Sequence, residues 1–230
     1  SFHNKIAVLA KLNYFVIDKL FLWHIFMCSN AKIKKFLMSK VKLKDIAKLD
    51  VGLAFRTAPK TSANGNISVI QMKDLGEDNL VNFDNLMQVN QVKIKEQYIA
   101  KKGDLIIRSR GLNNKAALVS KDCIDTIVSA PLFILRIISP DILPEYLLFY
   151  LNQKSSQDYL AKCSKGSLVK MIGREDIENL PIKIPNLDQQ KLIGKLANAI
   201  NQEQVILDEI KQKRELYMSN ILKQKLLNLN

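Results

Sequence analysis

The feature that most constrains this chain is its C-terminal stretch, Asp188 to Leu229, which is long, helix-favouring and almost free of helix breakers. It contains one glycine, Gly194, and no proline, and it is rich in Leu, Ile, Lys, Gln and Glu, which favour helices. Pro185 precedes it and Asp188 can cap it, so we expect a helix to start here. One continuous helix would extend about 60 Å at ~1.5 Å per residue, longer than the helices of ordinary globular domains. The stretch therefore predicts a coiled coil or a spacer.

Apolar residues recur along this stretch in alternating steps of three and four, the spacing of coiled-coil a and d positions. The predicted seam comprises Ile193, Leu196, Ile200, Glu203, Leu207, Ile210, Arg214, Tyr217, Ile221 and Gln224. In an antiparallel pair of identical helices, related by a two-fold axis between positions 208 and 209, Glu203 of one helix faces Arg214 of the other. The seam thus favours a homodimer through antiparallel C-terminal helices. The alternative is a single amphipathic helix packed on its own domain, with both charges solvated.

The charge balance points to a polyanionic partner. Lys and Arg outnumber Asp and Glu by 35 to 22, which gives a net charge of +13 and an isoelectric point near 9.6. Nucleic acid is the commonest polyanion that such a chain binds, although a biased composition rich in Lys, Asn and Ile is an alternative explanation.

The cysteines and histidines predict neither a metal site nor a disulfide framework. Three cysteines (Cys28, Cys123 and Cys163) lie far apart, and His3 and His24 fall outside any ligand spacing. This usage fits a reducing compartment, so we expect the protein to be cytoplasmic.

Residues 1–40 predict an amphipathic helix, from Ile6 to Met27, followed by a basic linker. Lys11, Asp18 and Lys19 interrupt the apolar run, so a membrane span is not expected. The sequence leaves open whether this segment is native or an added extension.

Residues 41–185 predict a different style of structure, with short β-rich segments between turn clusters such as Asn64-Gly65 and Gly103-Asp104. The predicted fold class is α+β: an irregular mixed sheet or partly closed barrel with small helices, followed by the long helix of residues 186–230. Among the predicted elements are a strand at Gln91 to Ile94 and one helix from Leu143 to Lys162.

Three polar, basic loops in this region carry side chains of the types that contact DNA bases and phosphates in other proteins. Arg can bond guanine through two donors, Asn can match adenine, and Lys suits phosphate. The candidate DNA-binding residues are Arg56, Lys60 and Asn64 in a first loop, Arg108, Arg110, Asn113, Asn114 and Lys115 in a second, and Lys165, Lys170 and Arg174 in a third. The alternative for each loop is a solvated turn.

No catalytic motif accompanies these loops. The sequence has no phosphate-binding P-loop, dinucleotide-binding glycine pattern, zinc-protease HExxH or GxSxG nucleophile motif. Scattered carboxylates (Asp45, Asp50, Asp74, Asp104 and Glu175) leave a nuclease as an alternative, but their spacing does not require one. A module for RNA or single-stranded DNA is another alternative, weakened by an aromatic content of only 7%.

The order of motifs resembles the specificity (S) subunit of type I restriction–modification enzymes. The matching segments are Val41-Lys-Leu-Lys-Asp-Ile-Ala47, Ile70 to Leu75, Gly103 to Gly111, Pro144 to Leu151, Ile177 to Pro185 and Leu187 to Ile193. The entry into the long helix, Pro185-x-Leu187-x-x-Gln190, is the most specific of them. The resemblance covers Val41 to the C-terminus, with room for one target-recognition domain and one spacer helix where the usual subunit has two of each.

The resemblance implies a non-catalytic chain that recognises double-stranded DNA at an interrupted site and directs methyltransferase subunits to it. It implies no cofactor in this chain; S-adenosylmethionine, ATP and Mg²⁺ would belong to partner methyltransferase and restriction subunits. A half-length chain would rebuild the two-domain form as a homodimer. The alternative is a regulatory or decoy protein that docks the methyltransferase without productive DNA recognition.

Overall fold

Nine short strands form three small sheets in the part of the chain that the structure, a computed structural model, describes. The described residues are 40–56, 61–62, 65–90, 94–111, 113–164, 166 and 170–227, within a unit that spans Lys40–Asn230. The strands are β1 Lys40–Lys42, β2 Ala47–Val51, β3 Ile67–Ile70, β4 Met87–Val89, β5 Leu105–Arg108, β6 Ala116–Leu118, β7 Thr126–Val128, β8 Leu132–Ile137 and β9 Pro181–Lys183. The helix predicted within residues 1–40 lies outside the described residues, and so does the strand predicted at 91–94, apart from Ile94.

The central sheet is antiparallel, with the strand order β2-β8-β5-β6. A second sheet, β4-β3-β7, is mixed because β3 pairs parallel with β7 and antiparallel with β4. The third consists of β1 and β9 alone. The α+β class with an irregular mixed sheet is confirmed, and the described strands form three separate small sheets without closing into a barrel.

The core lies on both faces of β5. Leu105, Ile106 and Ile107 are consecutive residues at 0–1% exposure, so the side chains on both sides of this strand are covered. Leu105 and Ile107 join the larger apolar cluster, while Ile106 joins a second cluster on the opposite face. A strand buried on both faces explains the continuous apolar run in the sequence, which does not alternate with polar residues.

Four α-helices are described in this part of the chain, and β9 lies between the third and the fourth: α1 Pro144–Asn152, α2 Lys154–Cys163, α3 Arg174–Glu178 and α4 Leu187–Leu227. The prediction of one helix from Leu143 to Lys162 is wrong, because Gln153 is extended (φ −63°, ψ 147°) and separates α1 from α2. The side chain of Asn152 bonds the N–H of Ala116 at 2.8 Å and its C=O at 2.9 Å. These two bonds hold the end of α1 against β6 and redirect the chain.

The long helix α4 is confirmed, and a different residue caps it. The Asn186 side chain accepts the N–H of Gln189 at 2.9 Å, while the predicted cap, Asp188, lies in the first turn. Gly194 lets α4 approach α1, because a Cβ at this position would lie 3.0 Å from the Cβ of Glu145. The first two turns of α4 are therefore fastened to the domain.

Candidate nucleic-acid interface and spacer helix

The loop after β5 is held from inside by two of the predicted DNA-binding side chains. Arg108 donates from Nη2 to the C=O of Leu75 at 2.8 Å. The buried side chain of Asn114 donates from Nδ2 to the C=O of Arg108 at 2.9 Å. Arg108 thus ties the start of the loop to the turn that ends at Leu75, and Asn114 closes the loop on its own backbone.

Gln157 of α2 completes this support, and sequence reasoning missed it. Its Oε1 accepts the N–H of Asn114 and its Nε2 donates to the C=O of Asn114, both at 3.1 Å. Gln157 lies 43 residues from its partner, so no local pattern in the sequence signals this contact.

The tip of the same loop presents Arg110 and Asn113 to solvent. Ser109 anchors the approach to the tip, since its N–H donates to the C=O of Pro131 at 3.2 Å. Gly111 follows with φ +121°, a left-handed conformation that other residues rarely adopt. Fixed flanks and an exposed tip are the arrangement that positions side chains for recognition.

The third predicted loop lies beside this tip. The N–H of Ile172 donates to the C=O of Ser109 at 2.8 Å, and Arg110 forms an isolated antiparallel bridge with Met171. The bridge places Lys170 next to the tip, opposite Gly111. The structure therefore brings together two loops that are 60 residues apart in the chain, counted from Arg110 to Lys170 (170 − 110).

The first predicted loop approaches the other end of the mixed sheet. The N–H of Ser62 donates to the C=O of Gln88 at 2.9 Å, beside the Ile67 end of β3. The loop after β5 contacts the segment that follows the opposite end of β3, because Arg108 bonds the C=O of Leu75. β3 itself is about 10 Å long at ~3.3 Å per residue. Arg56 is exposed, while Lys60 and Asn64, like Lys165 of the third loop, lie outside the described residues.

The positively charged side chains of these loops differ in whether a nearby carboxylate neutralises them. Lys115 lies 3.6 Å from Glu77, and Arg174 pairs with Glu178 at 2.6 Å. Arg110 and Lys170 are exposed and have no ion pair among the described residues. Arg56 of the first loop is exposed and unpaired in the same sense, so these three are the exposed candidate cations that remain available to an anionic ligand in the described part of the loops.

Of the carboxylates that left a nuclease open, Asp50, Asp74 and Asp104 are engaged in local contacts. Asp104, 3% exposed, forms a two-bonded pair with Arg136, at 2.9 Å to Nε and 2.6 Å to Nη2, and this pairing raises the pKa of Arg136. Asp50 pairs with Lys48 at 3.0 Å, and Asp74 accepts the N–H of Gln71 at 2.8 Å. Burial raises the pKa of Asp74. Within the described ranges, no group of three or more His, Cys, Asp or Glu residues could hold a metal ion.

One face of α4 holds the helix to the domain. Gln190, which is fully buried, accepts the N–H of Leu143 at 2.9 Å and donates to the C=O groups of Asp141 and Pro185 at 2.7 and 2.9 Å. Three turns further on, Asn201 accepts a bond from Asn79 at 2.8 Å. These contacts explain the motif Pro185-x-Leu187-x-x-Gln190, whose last residue joins the helix to the turn before α1.

The predicted seam lies on another face of the same helix. Successive residues are rotated by ~100° around the helix axis, so the middle of the seam lies roughly 150° around the helix from the face that includes Gln190, Gly194 and Asn201. Its apolar members are largely exposed: 44% for Leu196, 57% for Ile200, 52% for Leu207, 56% for Ile210 and 65% for Tyr217. Glu203 and Arg214 are exposed as well, and Ile193 and Ile221 are partly buried. The apolar positions from Leu196 to Tyr217 are therefore largely uncovered, while the hydrogen bonds that tie the helix to its own domain lie on the other face.

None of the described helices has both the length and the apolar character that crossing a membrane requires.

Comparison with known proteins gives one family and several solved structures. The family model described as "Type I restriction modification DNA specificity domain" matches residues 37–216. No curated protein sequence matches the chain significantly.

The solved structures share the fold at low sequence identity. The HsdS subunit from Thermoanaerobacter tengcongensis is 20% identical over 75% of this chain, with a TM-score of 0.54. A structure described as the basis of complex assembly and conformational transition of the type I R-M system is 16% identical over 93%, with a TM-score of 0.59. The S subunit of M. genitalium is 15% identical over 76%, with a TM-score of 0.50.

The chain spans 39%, 55% and 42% of the lengths of these three proteins. One recognition domain and one long helix fit a share of this size. Since the family model covers most of the sequence, the chain belongs to the type I restriction–modification DNA specificity family.

Proposed function

We propose that this chain recognises a double-stranded DNA target within a type I restriction–modification complex and directs methyltransferase and restriction subunits to it. The observation that carries the proposal is the family match over residues 37–216. Specificity subunits of this family are non-catalytic and bind no cofactor themselves. S-adenosylmethionine, ATP and Mg²⁺ therefore belong, in this proposal, to the partner subunits.

The two adjoining loops are the proposed reading surface. Arg110 would donate two bonds to a guanine edge, and Asn113 would bond an adenine. Lys170, which has no ion pair in the described part of the chain, would contact a phosphate. Lys115 and Arg174, whose carboxylate partners lie 3.6 and 2.6 Å away, would exchange these partners for phosphates. Phosphate contacts position the protein and carry no sequence information.

The remaining candidates take other roles in this proposal. Arg108 and Asn114 hold the loop in place, because Arg108 bonds the C=O of Leu75 in another segment and Asn114 bonds the C=O of Arg108. Arg56, Lys60, Asn64 and Lys165 remain candidate contacts at the edges of the surface.

Two copies would pair through the exposed seam of α4. With the two-fold axis between positions 208 and 209, Leu207 meets the partner's Ile210, and Ile200 meets the partner's Tyr217. Glu203 then meets the partner's Arg214, so the two charged seam positions neutralise each other. The exposure of these positions supports the proposal, because large apolar side chains arranged on one face are typical of an interaction surface.

The homodimer would read a symmetric target interrupted by an unread gap. The 41-residue helix is about 60 Å long at ~1.5 Å per residue, and it would set the separation of the two recognition domains. A chain that spans about half the length of its relatives would thereby present two domains, one from each copy.

Selection from a pool of random duplexes tests the reading surface. The chain with its methyltransferase subunit should enrich a two-part motif, and Arg110→Ala should lose the preference at one position in each half, by about 1–3 kcal/mol. Lys102→Ala is the matched control, since Lys102 is exposed and pairs with Asp122 at 3.5 Å. Assembly with the methyltransferase without any DNA affinity would favour the regulatory or decoy alternative instead.

Light scattering across a concentration series tests the dimer. Glu203→Arg should shift the equilibrium towards monomer, and the added Arg214→Glu should restore the dimer. Glu215→Arg, an exposed change outside the seam, should leave the mass unchanged. A strict monomer in the wild type, or equal masses in all variants, would contradict this register.

A further inference from the structure

The two-stranded sheet places lysines directly opposite one another. In the antiparallel register of β1 and β9, Lys40 faces Lys183 and Val41 faces Ile182. Ile182 is fully buried, whereas Lys40 and Lys183 are both exposed. The lysine pair therefore lies on the solvent-exposed face of this sheet. Directly opposed side chains have Cβ atoms about 4.5–5.5 Å apart, at which distance like charges destabilise a sheet.

Lys42 extends the same cluster. It lies two residues after Lys40, hence on the same face of β1, and diagonally from Lys183 at about 7–8 Å. Lys44, in the following 3-10 turn, is also exposed. None of these lysines has an ion pair among the described residues.

The neighbouring carboxylate does not neutralise the cluster. Asp45 is exposed, and its Oδ2 accepts the backbone N–H of Lys42 at 3.0 Å. It contributes one negative charge against four lysines. A patch that retains uncompensated like charges at a cost to the sheet is suited to binding an anion.

The position of the patch suggests which anion. Leu43, between the lysines of the patch, bonds Leu180 through its N–H at 3.0 Å, and the turn that contains it packs against α3, which begins at Arg174. On the other side, Lys183 lies four residues before the start of α4. The patch is thus linked on one side, through this turn, to the helix that follows the third loop, and on the other side to the root of the spacer helix. In the proposed complex, DNA that leaves the recognised half-site along the spacer helix would pass here.

We propose that Lys40, Lys42 and Lys183 form a phosphate-binding patch for the backbone of double-stranded DNA next to the recognised half-site. The inference rests on the proposed function and adds a contact that carries affinity without sequence preference. Phosphate contacts release condensed counterions, so each one steepens the salt dependence of binding.

The test is fluorescence anisotropy of the full chain with a labelled random-sequence 30-bp duplex, between 50 and 200 mM salt. The variant is Lys40→Gln/Lys42→Gln/Lys183→Gln. In a plot of log affinity against log salt concentration, the variant should have a slope shallower by about 0.9 for each lost phosphate contact, about 2.7 in total. The ratio of wild-type affinity to variant affinity should therefore fall about 40-fold between 50 and 200 mM salt. The control removes the same charge from ion-paired lysines: Lys101→Gln/Lys102→Gln/Lys154→Gln, whose ammonium groups lie 2.6, 3.5 and 2.8 Å from carboxylates.

Each outcome decides between the two proposals. A wild-type chain that does not bind the duplex even at 50 mM salt would overturn the patch, while the reading surface is decided separately by the selection with the methyltransferase subunit. Binding with equal slopes for variant and control would overturn the patch alone and leave the recognition loops standing. A variant that keeps the wild-type slope but no longer co-purifies with the methyltransferase would also overturn the phosphate-binding patch. That result would mean that the lysines bind an acidic surface of the methyltransferase. Circular dichroism should show that the variant is folded, since removing the opposed charges relieves repulsion.

Discussion

Replacing Gln190 by Ala should unfasten the long helix from its domain. Gln190 is fully buried, and its side-chain amide bonds three backbone groups. Its oxygen accepts the N–H of Leu143, and its two N–H groups donate to the C=O groups of Asp141 and Pro185. These groups belong to the turn before α1 and the turn before α4. Alanine satisfies none of them and leaves these largely buried groups without their side-chain partner.

The magnitude follows from these three bonds. Each contributes about 1–1.5 kcal/mol net, and a buried group left unpaired costs about 1–3 kcal/mol. We therefore expect a loss of about 3–5 kcal/mol in the free energy of unfolding, a large share of the total for a domain of this size.

Urea unfolding followed by circular dichroism measures the loss, at one protein concentration for all variants because self-association adds to apparent stability. With a slope of about 2 kcal/mol per molar urea, the midpoint should fall by about 1.5–2.5 M. Gln189→Ala is the matched control: it is the preceding residue, it is exposed, and its loss should change stability by less than about 0.5 kcal/mol. Equal midpoints for the two variants would refute the argument that Gln190 fastens the helix.

Three further changes probe other contacts. Asp104→Ala should cost about 3–5 kcal/mol in thermal or urea unfolding, because it leaves the partly buried Arg136 without its two-bonded carboxylate. Gly194→Val should cost about 1–3 kcal/mol, since a Cβ would lie 3.0 Å from that of Glu145 and force α4 away from α1. Burial raises the pKa of Tyr146 from 10.0 to about 12. The contribution of its neutral phenol to the free energy of unfolding should therefore be complete below pH 10 and be lost as the pH rises to 12. Tyr146→Phe should make this loss smaller in an alkaline unfolding series.

The outcomes that contradict these predictions are specific. Lys48→Ala is the comparison, because it breaks a more exposed ion pair with Asp50. An Asp104→Ala variant as stable as Lys48→Ala would mean that the buried pair with Arg136 adds nothing to the free energy of unfolding. A Gly194→Val variant that gains stability would mean that α1 and α4 separate without loss. An alkaline unfolding curve of equal steepness in wild type and Tyr146→Phe would assign the pH dependence to other groups.

Much of the architecture was predictable because its signals are local. The absence of breakers after Pro185 and the recurrence of apolar residues predict the long helix, since propensity and periodicity are properties of neighbouring residues. Turn residues between short apolar runs predict the irregular sheets for the same reason. The family, too, is recognisable from the order of its motifs, and the match over residues 37–216 agrees.

Local signals also produced the errors. The run from Leu143 to Lys162 is helix-favouring throughout, so nothing nearby indicates the break at Gln153, which follows from the bonds of Asn152 to a strand 36 residues away. Asp188 is a good cap by residue type, but Asn186 occupies the position that reaches the free N–H.

The sequence by itself determined the long helix, the α+β class, the basic character and the family of this protein. Only the tertiary structure decided that Arg108 and Asn114 face inward while Arg110 and Asn113 face out, because that choice depends on Leu75 and Gln157, which are distant in the chain. Only the register of β1 and β9 decided that Lys40 faces Lys183 across 143 positions (183 − 40). Residue types and their spacing specify what a segment can form, whereas contacts between distant segments specify which side chains remain free to bind.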